Sequence, residues 1–363
     1  MKLLKVAVIL MLASGSLQAQ DISITGTITR TLKIPMAPST NIRSPQMAVS
    51  EKTTQIKLLK IELSEKSKQI FSNKASKALA HRGEFSNSAL STSEKLPAKV
   101  QLGMNGVPVL NQGNHGACIV FAVTAAIDAI LNKGDYISQL CQLQLGNYLA
   151  ATGFTPSGWD GSIGRYVLGQ LESTGIISKQ QQAEQGCGGL TEYPTNGDDP
   201  ESSMTLDEYH RISEPFDQET VNWWTLLDVF DVVTERVDTS ATLAEVKKSL
   251  LNGDRIAFGI LLLDFEHGVM GAVGKKGATY DSWVLTPEIA RDVYLRPLFG
   301  GHEMIITGYD DNAVAIDDLG VKHKGLFTLR NSWGKEAGDH GDYYMSYDYF
   351  ATFAIDAQRI RKS

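Results

Sequence analysis

From Ala117 to Leu131 nearly every side chain is Ala, Val, Ile, Phe or Leu. A segment of that length is long enough for a helix and apolar on every face, so it belongs inside a sizeable core rather than on a surface. It follows directly on a polar, glycine-bearing turn, Pro108-Val109-Leu110-Asn111-Gln112-Gly113-Asn114-His115-Gly116. The turn therefore delivers Cys118 to the start of a buried helix. There, unpaired backbone N–H groups and the positive end of the helix dipole favour the thiolate, which is the nucleophilic form. Gln112, on the turn, can aim a side-chain N–H at the same place. A thiolate with a nearby amide donor is half of an acyl-transfer site, lacking a base and a group to orient it.

The other half lies near the C-terminus. Gly300-Gly301-His302-Glu303-Met304-Ile305-Ile306-Thr307-Gly308-Tyr309 reads as a strand that starts on a histidine. Leu326-Phe327-Thr328-Leu329-Arg330-Asn331-Ser332-Trp333-Gly334 reads as a strand that ends on an asparagine and a tryptophan. In chain order Gln112, Cys118, His302 and Asn331 resemble the site of the papain-like cysteine peptidases. The Gly-His-x-x-x-x-x-Gly-Tyr and Asn-Ser-Trp-Gly segments are similar to that family's two downstream motifs.

The resemblance implies an α+β fold of two lobes, a helical one carrying Cys118 and a β-barrel-like one carrying His302 and Asn331. It implies that Cys118 attacks a peptide carbonyl while His302 takes the thiol proton and later returns one to the leaving amine. His302 is one of seven histidines, and only its position after Gly300-Gly301 singles it out. Asn331 would orient the imidazole, Trp333 would shield that hydrogen bond from water or simply pack in the core, and Gln112 with the Cys118 N–H would hold the oxyanion. Neither a metal nor an organic cofactor is expected.

Departures from the family pattern are paired. The family carries a second cysteine three residues before the nucleophile and a tryptophan just after it; here those places hold His115 and Ile119. The partner of that second cysteine falls in a Gly-Cys-x-Gly-Gly turn, and the matching turn here is Gly158-Trp159-Asp160-Gly161-Ser162. Both half-cystines are absent together, as a fold working without that bridge requires. In the family this turn lines the cleft, which makes Gly161 and Ser162 candidates for pairing with an extended substrate. Three cysteines are present in all. With Cys118 free as nucleophile, Cys141 and Cys187 can pair in an oxidising compartment, or Cys141 is a buried apolar residue. A metal site joining His115 to Cys118 lacks further ligands nearby.

At the N-terminus, Lys2 and Lys5 precede an apolar run from Val6 to Ala13 and small or polar residues through Ala19, the layout of a secretory signal peptide over residues 1–19. That run is far shorter than the ~20 residues a membrane span needs. The protein is expected to be exported, either secreted or periplasmic. Net charge is −7 with no basic cluster, so nothing points to nucleic acid. A chain with 42% hydrophobic and 21% charged residues can build a full core.

Residues 20–95 differ: rich in Ser, Thr and Lys and poor in aromatics, they cannot build a core alone. One amphipathic helix is expected over Thr53–Phe71, from Ile56, Leu59, Leu63 and Ile70. The segment reads as an inhibitory prosegment or a linker, with Gly83 to Glu94 open to proteolytic nicking. Leu96-Pro97-Ala98-Lys99-Val100 resembles the start of the mature domain, taken as 96–363. Helices are expected at Ile163–Ser173 and Leu243–Leu251, and a strand at Arg255–Asp264. Residues 195–240, with Trp223-Trp224, and 265–300, with Tyr280 and Trp283, read as surface insertions. They lengthen the separation between Cys118 and His302 beyond the ~130–150 residues of papain-type enzymes. The expected function is a secreted cysteine peptidase acting on peptides or proteins through a thioester. The alternatives are a catalytically silent papain-fold binding protein and an acyltransferase with the same triad.

Overall fold

The computed structural model describes residues 21–35, 51–81, 96–154, 156, 158–263, 269–270, 281–296, 298–317 and 319–363. The expected signal segment, the expected nicking loop at 83–94 and Tyr280 lie outside the described residues.

The architecture is α+β. Strands β1 (Ile22–Pro35) and β2 (Glu51–Leu63), helix α1 (Glu65–Ala80) and strand β3 (Lys99–Gln101) come first. Helices α2 (Cys118–Leu131), α3 (Gln139–Ala151), α4 (Gly164–Thr174), α5 (Lys179–Gln185) and α6 (Leu206–Ile212) follow, then β4 (Val221–Leu227), α7 (Val229–Val233) and α8 (Thr239–Leu251). The last part is strand-rich: β5 (Arg255–Leu262), β6 (Val269–Met270), β7 (Ser282–Trp283), α9 (Pro287–Leu295), β8 (Phe299–Ile316), β9 (Lys322–Arg330), β10 (Asp342–Ser346), α10 (Tyr347–Phe353) and β11 (Ala354–Lys362). The strands join into one sheet in the order β4-β11-β5-β8-β9-β10-β7-β6. β3 pairs with β8, and the β1–β2 hairpin attaches through β2 to β8.

The apolar run beginning at Ala117 is the central helix: every residue of α2 from Cys118 to Ala129 is buried. It packs on β8, β5 and β11 and on α3 and α4, which accounts for its lack of a polar face. A disulfide joins Cys141 in α3 to Cys187, their Cα atoms 5.1 Å apart. No helix of the described residues is long and apolar enough to cross a membrane.

Two expectations are corrected. Residues 53–63 form a strand, and the helix starts only after Ser64, whose hydroxyl accepts the Ser67 N–H at 3.1 Å. Ile56, Leu59 and Leu63 fit helical spacing, yet Ile56, Leu58, Ile61 and Leu63 are buried while Lys57, Lys60 and Glu62 between them are less so. A partner decides between the periods: β2 pairs along its length with β1, from Leu63 opposite Ile22 to Glu51 opposite Pro35, and Leu59, Lys60 and Ile61 pair with Gly301, Gly300 and Phe299. The segment contributes Leu58, Ile61 and Phe71 to the same apolar core as α2.

The stretches 195–240 and 281–300 are surface additions only in part: most of 195–220 is exposed or half-buried, but each stretch also supplies a strand and core residues. β4 pairs antiparallel with β11, with Trp223 opposite Ile360, so it covers an edge that would otherwise be bare. Tyr209 and Leu227 are fully buried. Trp283 is buried too, stacked on Tyr343 with ring centroids 4.9 Å apart, and β7 extends the sheet by pairing with β10.

Candidate active site

The turn before α2 is tied to the segment after β9. The Gln112 N–H donates to the Ser332 carbonyl at 2.8 Å and the Gly334 N–H to the Leu110 carbonyl at 3.0 Å. This ladder brings Gln112 and Asn331-Ser332-Trp333 to one place, while β8 carries His302 and Glu303 past the start of α2.

His302 Nε2 and Asn331 Oδ1 are 2.8 Å apart. The Ser332 backbone N–H donates to the same Oδ1 at 2.7 Å, so that end of the amide is the oxygen and the imidazole must carry its proton on Nε2. In a neutral ring Nδ1 is then a bare lone pair, and it has no hydrogen-bond partner among the described residues. Trp333 stacks on the imidazole, centroids 4.4 Å apart and planes 25° from parallel.

Cys118, His302 and Asn331 are all buried. Burial pushes the Cys118 thiol up to about 12, the Glu303 carboxyl adds to this, and backbone N–H groups of Glu303, Ile119 and Cys118 itself pull the other way. Burial pushes His302 down to about 4 against the pull of Asn331. The covered pair is therefore thiol and imidazole, not the thiolate the helix dipole alone would favour. Loss of water outweighs a dipole worth at most ~2 kcal/mol.

The Gln112 side chain is held at both ends: Oε1 accepts the Ser332 hydroxyl at 2.7 Å and Nε2 donates to the His115 carbonyl at 2.8 Å. One amide N–H is left. His115, buried against Trp159 and Tyr193, bonds through Nδ1 to Asp199 Oδ1 at 2.5 Å, and among the described residues no group of three or more His, Cys, Asp or Glu is arranged to hold a metal.

Ser162 lines the cavity beside His302 together with Leu59 and Ile61 of β2, and Leu59 lies against Gly161. A Cβ on Gly161 would stand 2.2 Å from Leu59 Cδ2, and one on Gly301 2.3 Å from Ile61 Cδ1, so each glycine permits the close approach of β2. Lys57 of the same strand reaches Asp199 at 2.9 Å. Reading the sequence alone missed Ser332, Leu59, Lys57, Asp199, Glu303 and Asp356. Ser332 was legible as part of Asn-Ser-Trp-Gly, and Glu303 as an acid directly before the apolar run Met304-Ile305-Ile306; Asp356, in a strand that also carries Gln358, Arg359, Arg361 and Lys362, and Leu59, Lys57 and Asp199 carried no local signal.

No protein-family model and no curated protein matches the chain. Many solved structures that resemble it are papain-like cysteine proteases. Xylellain, a cysteine protease from Xylella fastidiosa, is 19% identical with a TM-score of 0.48, covering 76% of this chain and 89% of its own. The proform of the ragweed pollen allergen Amb a 11, a cysteine protease, is 17% identical with a TM-score of 0.44, covering 80% and 74%. Digestive procathepsin L 3 of Tenebrio molitor is 15% identical with a TM-score of 0.44, covering 82% and 91%. At these scores the likenesses stand as observations, and the chemistry rests on the residues above.

Proposed function

We propose that the chain is an exported papain-like cysteine peptidase made in a latent form. The observation that carries this reading is the His302–Asn331 bond, which leaves Nδ1 of a buried imidazole without a partner among the described residues, next in the chain to Glu303, whose carboxyl and backbone N–H act on the Cys118 thiol at the start of α2. His302 Nδ1 takes the Cys118 proton as sulfur attacks a substrate carbonyl. The remaining Gln112 amide N–H and the Cys118 backbone N–H receive the oxyanion. The imidazolium then protonates the leaving amine, and water, deprotonated by the same nitrogen, releases the acyl group from sulfur.

Residues 20–95 act as the prosegment of a peptidase domain spanning 96–363, whose helical lobe carries Cys118 and whose strand-rich lobe carries His302 and Asn331. Support comes from β2, which pairs with Gly300–Gly301 and fills the cleft above Gly161. A cleft occupied by the chain's own strand admits no substrate until that strand leaves.

Alkylation by an epoxide directed at activated thiols, followed by mass spectrometry, tests the reading. Modification of Cys118, slow in the full chain and fast after removal of residues up to about Lys99, is expected together with peptide hydrolysis that Cys118→Ala abolishes. Equal alkylation in both forms removes the latency, and hydrolysis by Cys118→Ala removes the mechanism.

A further inference from the structure

Beside His302, at the start of α2, lies a cavity of about 330 Å³. Ile119, Ile163 and Tyr166 wall it, and Leu59 and Ile61 of β2 cover it. Two carboxyls, Glu303 and Asp356, belong to the same lining and are 2% and 4% exposed. Asp356 is provided for: Oδ1 accepts from Gln358 Nε2 at 2.9 Å and Oδ2 from the Gly164 N–H at 3.1 Å. Glu303 is not, because its buried Oε1 has no hydrogen-bond partner among the described residues. The two acids converge, with Glu303 Oε1 and Asp356 Oδ2 lying 2.9 and 3.0 Å from the point a Cβ on Gly164 would occupy. Glycine at that position leaves room for both.

Buried acids without a counter-cation are costly and are kept only where something compensates them. Among the described residues no Lys or Arg lines the cavity. Arg165, the cation that acts on Asp356, is already bonded to Asp228 and lies over the Tyr166 and Phe230 rings. The lysines of the covering strand are engaged elsewhere, Lys57 with Asp199 and Lys60 with Glu62. Burial pushes both carboxyls up, Asp356 to about 7, and the charge of Asp356 raises Glu303 further. Without a cation each carboxyl therefore keeps its proton to a higher pH than a solvated acid does.

We infer that this cavity is a specificity pocket for a long cationic side chain, Lys or Arg, of the peptide substrate, with Glu303 and Asp356 receiving its head. The inference rests on the peptidase reading above. The aliphatic stem lies along Ile119, Ile163 and Tyr166, and the head supplies the donors that Glu303 Oε1 lacks. The substrate residue concerned is the one that replaces Leu59 in an extended chain between Gly161 and Gly301. Leu59 is too short and too apolar to reach the acids, so the covering strand roofs the pocket and leaves it unfilled. An apolar substrate side chain would leave Glu303 unsatisfied, and an acidic one would add a third carboxyl.

The test compares hydrolysis by the full chain of peptide sets that vary each position on the acyl side between Arg, norleucine and Glu. Covering by β2 lowers kcat/KM for every substrate by one factor, so ratios survive latency. At one position Arg should exceed norleucine by roughly tenfold or more, as a buried charge-assisted hydrogen bond implies, and Glu should be the poorest. In Glu303→Gln and Asp356→Asn the Arg advantage should shrink severalfold while the norleucine rate stays measurable. Norleucine equal to or better than Arg at every position overturns the inference with the wild-type protein alone, even if a variant does not fold. An Arg preference unchanged in both folded variants overturns it as well. If no peptide is cut and Cys118 resists alkylation, the peptidase reading fails separately; binding of the same Arg and norleucine peptides to Cys118→Ala then decides the pocket, with equal affinities counting against it.

Discussion

Lys57, on the strand that covers the cleft, is paired at 2.9 Å with Asp199, whose other carboxylate oxygen holds buried His115 at 2.5 Å. One carboxylate thus links the covering hairpin to the turn that presents Cys118. Burial would raise the Asp199 carboxyl, but the hydrogen bonds from His115 and Lys57 outweigh it and hold it below its ordinary value.

Replacing Lys57 by Met should loosen the cover without touching the catalytic residues. A partly buried ion pair is worth about 1 kcal/mol, so the basal peptidase activity of the unprocessed chain should rise roughly fivefold. The activity of the processed enzyme should not change. A fluorogenic assay on both forms checks this, and equal basal rates for Lys57→Met and wild type would count against a latch at this pair.

Through His302, acid should loosen the cover. In the covered state the His302 pKa is lowered from 6.5 to about 4, so its protonation favours the uncovered state. The share of the covered form's stability that His302 supplies is fully present above about pH 6.5 and is lost as pH falls toward about 4. Asp199, also held low, acts in the same direction at still lower pH. Glu303 and Asp356, beneath the same strand, are held high by burial and act in the opposite direction. The His302 effect is therefore read in the double variant Glu303→Gln/Asp356→Asn, where the rate at which added protease cleaves the N-terminal segment should climb between pH 6.5 and 4; a flat profile in that variant would show that His302 is not shielded by the hairpin.

Asn331→Ala should lower kcat by roughly a hundredfold, since His302 remains but its ring and tautomer are no longer held. Ser332→Ala removes the hydroxyl that pins Gln112 Oε1 at 2.7 Å and keeps the backbone donor to Asn331. Its cost should be about fivefold in kcat/KM, the loss of one hydrogen bond. Steady-state kinetics distinguish the two, and a Ser332→Ala loss as large as that of Asn331→Ala would mean the hydroxyl does more than orient the glutamine.

Cys141→Ala should destabilise the protein by about 2–4 kcal/mol, as expected for a bridge across 46 residues of chain. The urea midpoint reports this. Mass spectrometry of the non-reduced protein should find Cys141 linked to Cys187 and Cys118 free, and any bridge to Cys118 would contradict it.

The apolar helix, the cysteine at its start and the two motifs around His302 and Asn331 were legible in the sequence, because each is a short-range pattern whose chemistry needs particular residues at fixed spacing. Helices Gly164–Thr174 and Thr239–Leu251 and strand Arg255–Leu262 were legible for the same reason. Strand β2 was not. Its apolar residues fit two periods, and the hydrogen-bond partners that select one come from Ile22–Pro35 and Phe299–Gly301. Trp283 and Tyr209 lie in stretches without local periodicity, and only packing made them core. The links from Lys57 to Asp199 to His115, and from Glu303 to Asp356, join residues far apart in the chain. Sequence determined which chemical groups this protein carries and where its helices start; tertiary structure alone decided which of those groups lose water together, and so which are covered, neutral or left without a partner.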